Sequence, residues 1–161
     1  MNCIPVIQRI ICPVDFSDNA AFVLNSAVEV AARLEAELHF IFVVQDFIDY
    51  SGLMEPQLIM PSFDEEMRTM AEERLADLVA ENKDLIDAKG VKKVGHKVLA
   101  GDVAEEIITY AREWPANLIV IGTHGYKGLD RLLFGSVATK VVQSAPCPVL
   151  SVNPHTCSRA D

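Results

Sequence analysis

The sequence has no long apolar run, few aromatic residues and a shortage of basic side chains. No apolar stretch reaches the roughly 18 residues of a membrane span, and the first residues carry no basic segment of the kind that opens a secretion signal. Lysine and arginine number 14 against 23 aspartates and glutamates, a net charge of −9. Nonspecific nucleic-acid binding depends on basic residues. We therefore expect a cytoplasmic protein with neither nucleic acid nor membrane as partner.

The cysteines and histidines show no spacing typical of a metal or redox site. Cys3, Cys12, Cys147 and Cys157 contain no Cys-x-x-Cys pair and no paired spacing with histidine. Cys12 and Cys147 lie in apolar segments, so we predict packed thiols there. No Ser-His-Asp set and no pair of carboxylates stands out. We accordingly assign no catalytic residue.

Strand-like and helix-like segments alternate along the 161 residues, half of which are hydrophobic. Strands joined by helical crossovers are parallel, and right-handed crossovers place helices on both faces. The pattern predicts a single α/β domain over residues 1–161, a doubly wound open parallel five-stranded sheet of Rossmann-like type. Pro146 and Pro148 remove amide donors, which predicts that the last strand lies at an edge. The predicted strands lie within 9–15, 38–44, 91–99, 118–121 and 148–152, and the helices within 20–34, 67–86, 103–111 and 137–143.

Capping residues and an aperiodic stretch mark the boundaries between these segments. Residues 17–19 offer caps for the first helix, and two capping boxes are indicated, one over residues 62–65 and one at Asp102 with Glu105. Gly90 is predicted to end the second helix. Residues 45–61 fit no period and are predicted to form a loop or flap. A core over 9–153 and a tail over 154–161 complete the division.

Glycines punctuate the segment that follows the fourth predicted strand. Gly122, Gly125, Gly135 and Ser136 follow the spacing Gly-x2-Gly-x9-Gly-Ser, which matches neither the P-loop nor the Gly-x-Gly-x-x-Gly fingerprint. Glycine lets a backbone approach an anion closely, and free amides at a helix start bind phosphate. We predict that Ser136 is the helix N-cap, with a hydroxyl able to face a phosphate oxygen. The alternative is a glycine-rich turn that only connects strand to helix.

Three short motifs in this order resemble the nucleotide-binding branch of the universal stress protein family. They are Pro13-Val14-Asp15 after the first strand, Ala100-Gly101-Asp102 after the third, and the glycine segment after the fourth. The resemblance implies the fold of the adenine-nucleotide alpha hydrolases. In an open parallel sheet, ligands bind beyond the carboxyl ends of the strands. The three motifs would converge there if the first and fourth strands are neighbours, as the resemblance implies.

The same resemblance implies a site for ATP or a related adenine nucleotide, accompanied by Mg²⁺. Asp15 could contact the ribose, bind the cation or cap the first helix, and Lys127 and Arg131 would offset the acidic surface. His124 has no evident orienting carboxylate, so we assign it to binding and not to catalysis. The residues implied for the nucleotide site are Pro13, Val14, Asp15, Val43, Gly101, Ile121, Gly122, His124, Gly125, Gly135, Ser136 and Val137.

Three functions follow as alternatives. The first, implied by the resemblance, is a dimeric nucleotide-binding regulator of stress adaptation. The second is a slow ATPase or a nucleotidyl-transfer enzyme. The sequence shows no dedicated base and no P-loop lysine, which argues against rapid hydrolysis. The third is a nucleotide-independent module that binds a protein partner. The predicted dimer contact is the apolar edge strand, made of Val149, Leu150, Ser151 and Val152, unless the tail covers that edge.

Overall fold

The computed structural model describes residues 6–45, 61–123 and 135–154, without the side chains of residues 61–64. These residues form ten elements, in the predicted order except that two consecutive helices replace the second predicted helix. The strands are β1 (Arg9–Pro13), β2 (Glu37–Val44), β3 (Val94–Ala100), β4 (Leu118–Gly122) and β5 (Val149–Val152), and the helices are α1 (Ala20–Leu34), α2 (Pro61–Glu81), α3 (Lys83–Lys89), α4 (Val103–Glu113) and α5 (Ser136–Ser144).

The five strands form one parallel sheet in the order β3-β2-β1-β4-β5. This confirms the predicted fold class. β1 pairs with β2 on one side and with β4 on the other, through Ile10 opposite Leu118 and Ile11 opposite Ile119. The direction of winding reverses between β1 and β4, which opens a crevice at their carboxyl ends. β5 lies at the edge, as the two prolines beside it predicted.

Each face of the sheet has its own hydrophobic core. Ile10 and Cys12 of β1 point to the face covered by α1, α2 and α3, whereas Ile11 points to the face covered by α4 and α5. Successive side chains of a strand alternate between faces, so a central parallel strand must be apolar throughout. All three of these side chains are fully buried. The two faces are called here the α1–α3 face and the α4–α5 face, and each core is named after the face on which it lies.

The helix predicted over 67–86 is two helices in the structure, because helical geometry is interrupted at Asn82. The Asn82 side-chain amide donates to the Leu78 carbonyl at 2.7 Å, and Asn82 has φ −98° and ψ 8°. Asparagine side chains compete in this way with the hydrogen bonds of a helix backbone. Apolar periodicity continues through the break, and the pattern alone therefore did not reveal it.

Several predicted boundaries move by a few residues. α2 begins at Pro61, ahead of the predicted capping box and inside the predicted loop; proline suits a first helical position because its missing N–H would have had no partner there. β3 begins at Val94 and not at residue 91. Asn19 occupies the N-cap of α1 without a side-chain hydrogen bond. Gly90 ends α3 with φ 79°, which confirms the predicted C-cap.

The two described cysteines agree with the prediction of packed thiols. Cys12 is fully buried and Cys147 half-buried, and burial raises the pKa of both thiols. Cys3 and Cys157 lie outside the described residues, as does most of the predicted 45–61 loop and the tail beyond Pro154.

Leu75 of α2 provides a test of how this helix is held to the sheet. Its side chain is fully buried in the α1–α3 core, whereas Met70 of the same helix is 65% exposed. We predict that Leu75→Ala lowers the free energy of unfolding by about 2–5 kcal/mol, because it leaves a cavity, and that Met70→Ala has little effect. Urea denaturation followed by circular dichroism measures both. Equal losses would contradict this packing of α2.

Candidate functional site

A cavity of about 1020 Å³ opens at the carboxyl edge of the sheet. Its walls come from the ends of β1, β2 and β4 and from the first turns of α1, α4 and α5. These segments meet because β1 and β4 are neighbours. Nine of the residues predicted for a nucleotide site line the cavity: Pro13, Val14, Asp15, Val43, Ile121, Gly122, Gly135, Ser136 and Val137.

Of the other three predicted residues, one is described and is not among the lining residues. Gly101 lies beside the cavity with φ +142°, a conformation that favours glycine. Its N–H donates to the Val44 carbonyl at 3.0 Å, and Asp102 and Val103, which follow it, do line the cavity. His124 and Gly125 lie outside the described residues, together with the predicted cations at positions 127 and 131.

The turn after β1 holds Asp15 at the cavity. Asp15 Oδ1 accepts hydrogen bonds from the Ser17 amide at 3.0 Å and from the Ser17 hydroxyl at 2.7 Å. This arrangement is a local side-chain turn that precedes α1, and it does not cap the helix. Phe16, between the two residues, has φ 55°, which is unusual for a residue with a side chain. The turn therefore orients Asp15 before any ligand binds.

The start of α5 places its first backbone amides at the cavity. Gly135 is the N-cap, because its carbonyl accepts from the Thr139 amide at 3.0 Å, and its own amide donates to the Thr123 carbonyl at 2.8 Å. The prediction that Ser136 caps the helix is therefore wrong; Ser136 is its first residue. Within the described part of the chain, the next three amides have no backbone acceptor, as at any helix start. They belong to Ser136, Val137 and Ala138, all of which line the cavity.

The same motifs and topology occur in known proteins. The sequence profile of the Universal stress protein family matches residues 7–153. The chain belongs to this family. A universal stress protein of Methanocaldococcus jannaschii is 36% identical over 148 residues, which cover 90% of this chain and 81% of that protein.

Two solved structures illustrate the likeness of this universal stress protein in three dimensions. The universal stress protein UspA of Lactobacillus plantarum has a TM-score of 0.74 and 26% identity, with 91% of this chain and 97% of that chain covered. A universal stress protein of Archaeoglobus fulgidus, solved in complex with dAMP, has a TM-score of 0.60 and 25% identity, with coverage of 91% and 98%.

One carboxylate of the site is already hydrogen-bonded and paired with a lysine in this universal stress protein. Asp102 is the N-cap of α4 and accepts from the Glu105 amide at 2.9 Å, which confirms that predicted cap. Lys140 of α5 lies 3.3 Å from Asp102 and 3.0 Å from Glu105. The amide hydrogen bond and the lysine hold the pKa of Asp102 below its usual value. The bridge also joins the first turn of α4 to α5 beside the cavity.

One wall of the cavity was missed by the sequence patterns. Met67, Met70, Ala71 and Arg74 of α2 follow helical spacing and line the cavity. In the helix predicted over 67–86, apolar spacing assigns the first three to the packed apolar face, and its charge assigns Arg74 to the solvated face. The Arg74 guanidinium lies over the Phe16 ring, 4.6 Å from its centroid. Helical spacing was the available signal, but it does not distinguish a face that lines a cavity from one that packs on a core.

The described residues lack two other kinds of site. Among them, no three histidine, cysteine or acidic side chains cluster as metal ligands would. None of their helices is both long and apolar enough to cross a membrane.

Asp102 can be tested as the link between α4 and the site. We predict that Asp102→Ala lowers the free energy of unfolding at neutral pH by about 1 kcal/mol, the usual value of a lost cap, and that Asp102→Asn, which keeps a capping oxygen but not the charge, lowers it less. Since folding lowers the pKa of Asp102, its contribution is present at neutral pH and is lost as the pH falls through the folded-state pKa. Urea denaturation at neutral and strongly acidic pH measures this. An unchanged difference between wild type and Asp102→Ala at both pH values would contradict it.

Proposed function

We propose that this chain is an adenine-nucleotide-binding protein of the stress response that acts as a homodimer. Its preferred ligand under this proposal is ATP with Mg²⁺. The observation that carries the proposal is the convergence on one cavity, at the carboxyl edge of the sheet, of nine of the twelve residues that the family resemblance implies. The dAMP complex of the Archaeoglobus relative, which shares the fold and 25% of the sequence, supports an adenine nucleotide as the ligand class.

The α5 end of the cavity suits the phosphates. The amides of Ser136 and Val137, which have no backbone acceptor among the described residues, supply donors, and the positive end of the helix dipole lies at the same place. The protein as a whole carries a charge of −9. Oriented backbone amides attract an anion locally without requiring a basic surface, which is how this acidic chain would accommodate a polyphosphate.

The β1 end suits the nucleoside. Val14 and Val43 present buried apolar side chains there, next to Pro13. Asp15 Oδ1 is engaged by Ser17, whereas Oδ2 has no hydrogen-bond partner among the described residues. We propose that this oxygen accepts a ribose hydroxyl hydrogen bond or helps to hold Mg²⁺. Both roles use a carboxylate that is already oriented.

We expect binding without rapid hydrolysis. Asp15 and Asp102 are the carboxylates among the described lining residues, and both have structural hydrogen bonds. Fast phosphoryl transfer needs a group that positions the attacking water, together with cations on the transferred phosphate. A protein that holds ATP without consuming it can report the nucleotide state of the cell to a partner.

Gly135→Val is the direct test of the phosphate site. A Cβ atom at position 135 would lie 3.4 Å from the Thr123 carbonyl oxygen, and the φ of −69° accepts any side chain. The fold should therefore survive, while the branched side chain obstructs the amides at the start of α5. We predict ATP affinity at least about tenfold weaker, equivalent to about 1.4 kcal/mol. Isothermal titration calorimetry measures this affinity.

Gly135→Ala is the matched control for this experiment. It adds a single methyl group at the same position and should weaken ATP binding less than valine does. Thermal unfolding verifies that both variants are folded. A folded Gly135→Val protein with wild-type affinity would show that nucleotide, if it binds, does not use this helix start.

The proposed dimer contact is the exposed edge of β5. Leu150 is 40% exposed on this edge strand, and Val142 of the adjacent α5 is 49% exposed. An apolar edge strand presents unpaired backbone groups, which a second copy related by a two-fold axis would satisfy. The universal stress protein resemblance points to the same strand.

A charge on this edge should separate the protomers. We predict a dimer for the wild type at micromolar concentration and a monomer for Leu150→Lys, because the buried lysine would have no counter-charge in a symmetric contact. Leu34→Lys is the control, since Leu34 ends α1 and is similarly exposed at 42%. Light scattering measures the mass. A dimeric Leu150→Lys protein would place the interface elsewhere.

A further inference from the structure

The cavity extends across both faces of the sheet. Val43, Ile107 and Ile121 line it and belong to the core on the α4–α5 face. Phe16 and Phe42 also line it, and they pack on the core of the α1–α3 face. The cavity therefore passes over the carboxyl end of β1. Its volume of about 1020 Å³ lies at the upper end of ligand pockets, which range over about 300–1,000 Å³.

The part of the cavity on the α1–α3 face is called here the α2 compartment. It is lined by Phe16, Phe42, Met67, Met70 and Arg74. None of these residues belongs to the predicted nucleotide site, whose lining members lie at the ends of β1, β2 and β4 and at the start of α5. The proposed mononucleotide therefore leaves the α2 compartment unexplained.

The α2 compartment is built from flat and adaptable side chains. The Phe16 and Phe42 rings lie 4.6 Å apart between centroids at an angle of 48°, and the Arg74 guanidinium lies over Phe16. Aromatic and guanidinium planes both stack on nucleobases. Methionine side chains are flexible and polarizable and so adapt to the edge of an inserted ring. These surfaces favour a flat heteroaromatic group over a simple aliphatic chain.

The charge of Arg74 is available to a ligand. Within the described part of the chain, no carboxylate lies within 4.0 Å of its guanidinium, and its partner is the Phe16 ring. Arg68 of the same helix is instead paired with Glu72, at 3.4 Å. The compartment thus presents an unneutralised cation in a protein of net charge −9. A guanidinium plane and an aromatic ring both stack on the face of a nucleobase, so the charge of Arg74 and the planar surfaces favour the same group.

We infer that the site takes a dinucleotide, meaning two nucleosides joined through their phosphates. One nucleoside occupies the β1 end, the linking phosphates face the amides of α5, and the second base stacks in the α2 compartment on Arg74 and Phe16. This inference rests on the proposed nucleotide site and specifies its ligand class. Arg74 is then a residue that determines specificity for the second base.

The test compares two ligands that differ by the second base. Diadenosine diphosphate and ADP-ribose share an adenosine, a pyrophosphate and a second ribose, and the first alone carries a second adenine. We expect isothermal titration calorimetry to give diadenosine diphosphate at least about tenfold higher affinity, in keeping with the usual strength of base stacking. Because the comparison is a ratio on one protein, it does not depend on the stability of any variant.

Variants of α2 assign the advantage to the compartment. Arg74→Gln should reduce the ratio of affinities to near one while leaving ADP-ribose binding unchanged. Arg68→Gln, which removes a paired arginine from the same helix, should leave both affinities at their wild-type values. Arg74 is exposed, so the substitution should not affect folding.

Each outcome has a separate meaning. Equal wild-type affinities for the two ligands would overturn the dinucleotide inference and leave the nucleotide site standing. A ratio that persists in Arg74→Gln would place the second base outside the α2 compartment and overturn the inference as well. Failure of the wild type to bind ADP, ADP-ribose or diadenosine diphosphate would overturn the proposed function together with the inference.

Discussion

The pairing of β1 with β4 is the constraint on which the rest of the structure depends. Ile10 and Ile11 face Leu118 and Ile119 across this pair, and all four side chains are buried. Chain winding runs outward from this pair in both directions, so the loops after β1 and β4 leave on opposite sides of the sheet. The crevice between those loops cannot be filled by a crossover helix, and the cavity lies there.

Backbone hydrogen bonds convert this crevice into a shaped site. The Thr123 amide donates to the Val152 carbonyl, and the Thr123 carbonyl accepts from Gly135. One residue therefore ties the end of β4 both to the edge strand and to the start of α5. The amides that would face a phosphate are oriented by the sheet itself, which reduces the entropy lost on binding. The proposed dimer strand and the proposed phosphate site are consequently joined through a single residue.

The acidic side chains that line the cavity already have hydrogen-bond partners within the protein. Asp102 is satisfied by the amide of Glu105 and by Lys140, and the Asp15 side chain is oriented by Ser17. Arg74, which has no carboxylate partner among the described residues, lies on α2. An acidic protein binds an anion through donors that belong to its backbone and through a few placed cations, and here both kinds of donor open onto the same cavity.

The order of the elements could be predicted from sequence because it depends on local patterns. Alternation of apolar strands with amphipathic helices implies parallel pairing, and Pro146 and Pro148 indicate an edge strand. Gly90 and Asp102 cap their helices through contacts with residues only a few positions away, so the sequence predicted both caps. The break between α2 and α3 at Asn82 was not predicted, because apolar spacing continues through it. The Asn82 side-chain hydrogen bond competes with the backbone hydrogen bonds only once the helix exists.

The sequence by itself thus determined which segments form the sheet and which motifs end at its carboxyl edge. The tertiary structure decided what those motifs meet. It moved the cap of α5 from Ser136 to Gly135, because the Gly135 carbonyl accepts the first helical hydrogen bond. It also placed Met67, expected to pack in the core, and Arg74, expected to face solvent, together in a wall of the cavity. Spacing along a helix specifies a face, but only the packing of that helix against distant strands specifies what the face lines.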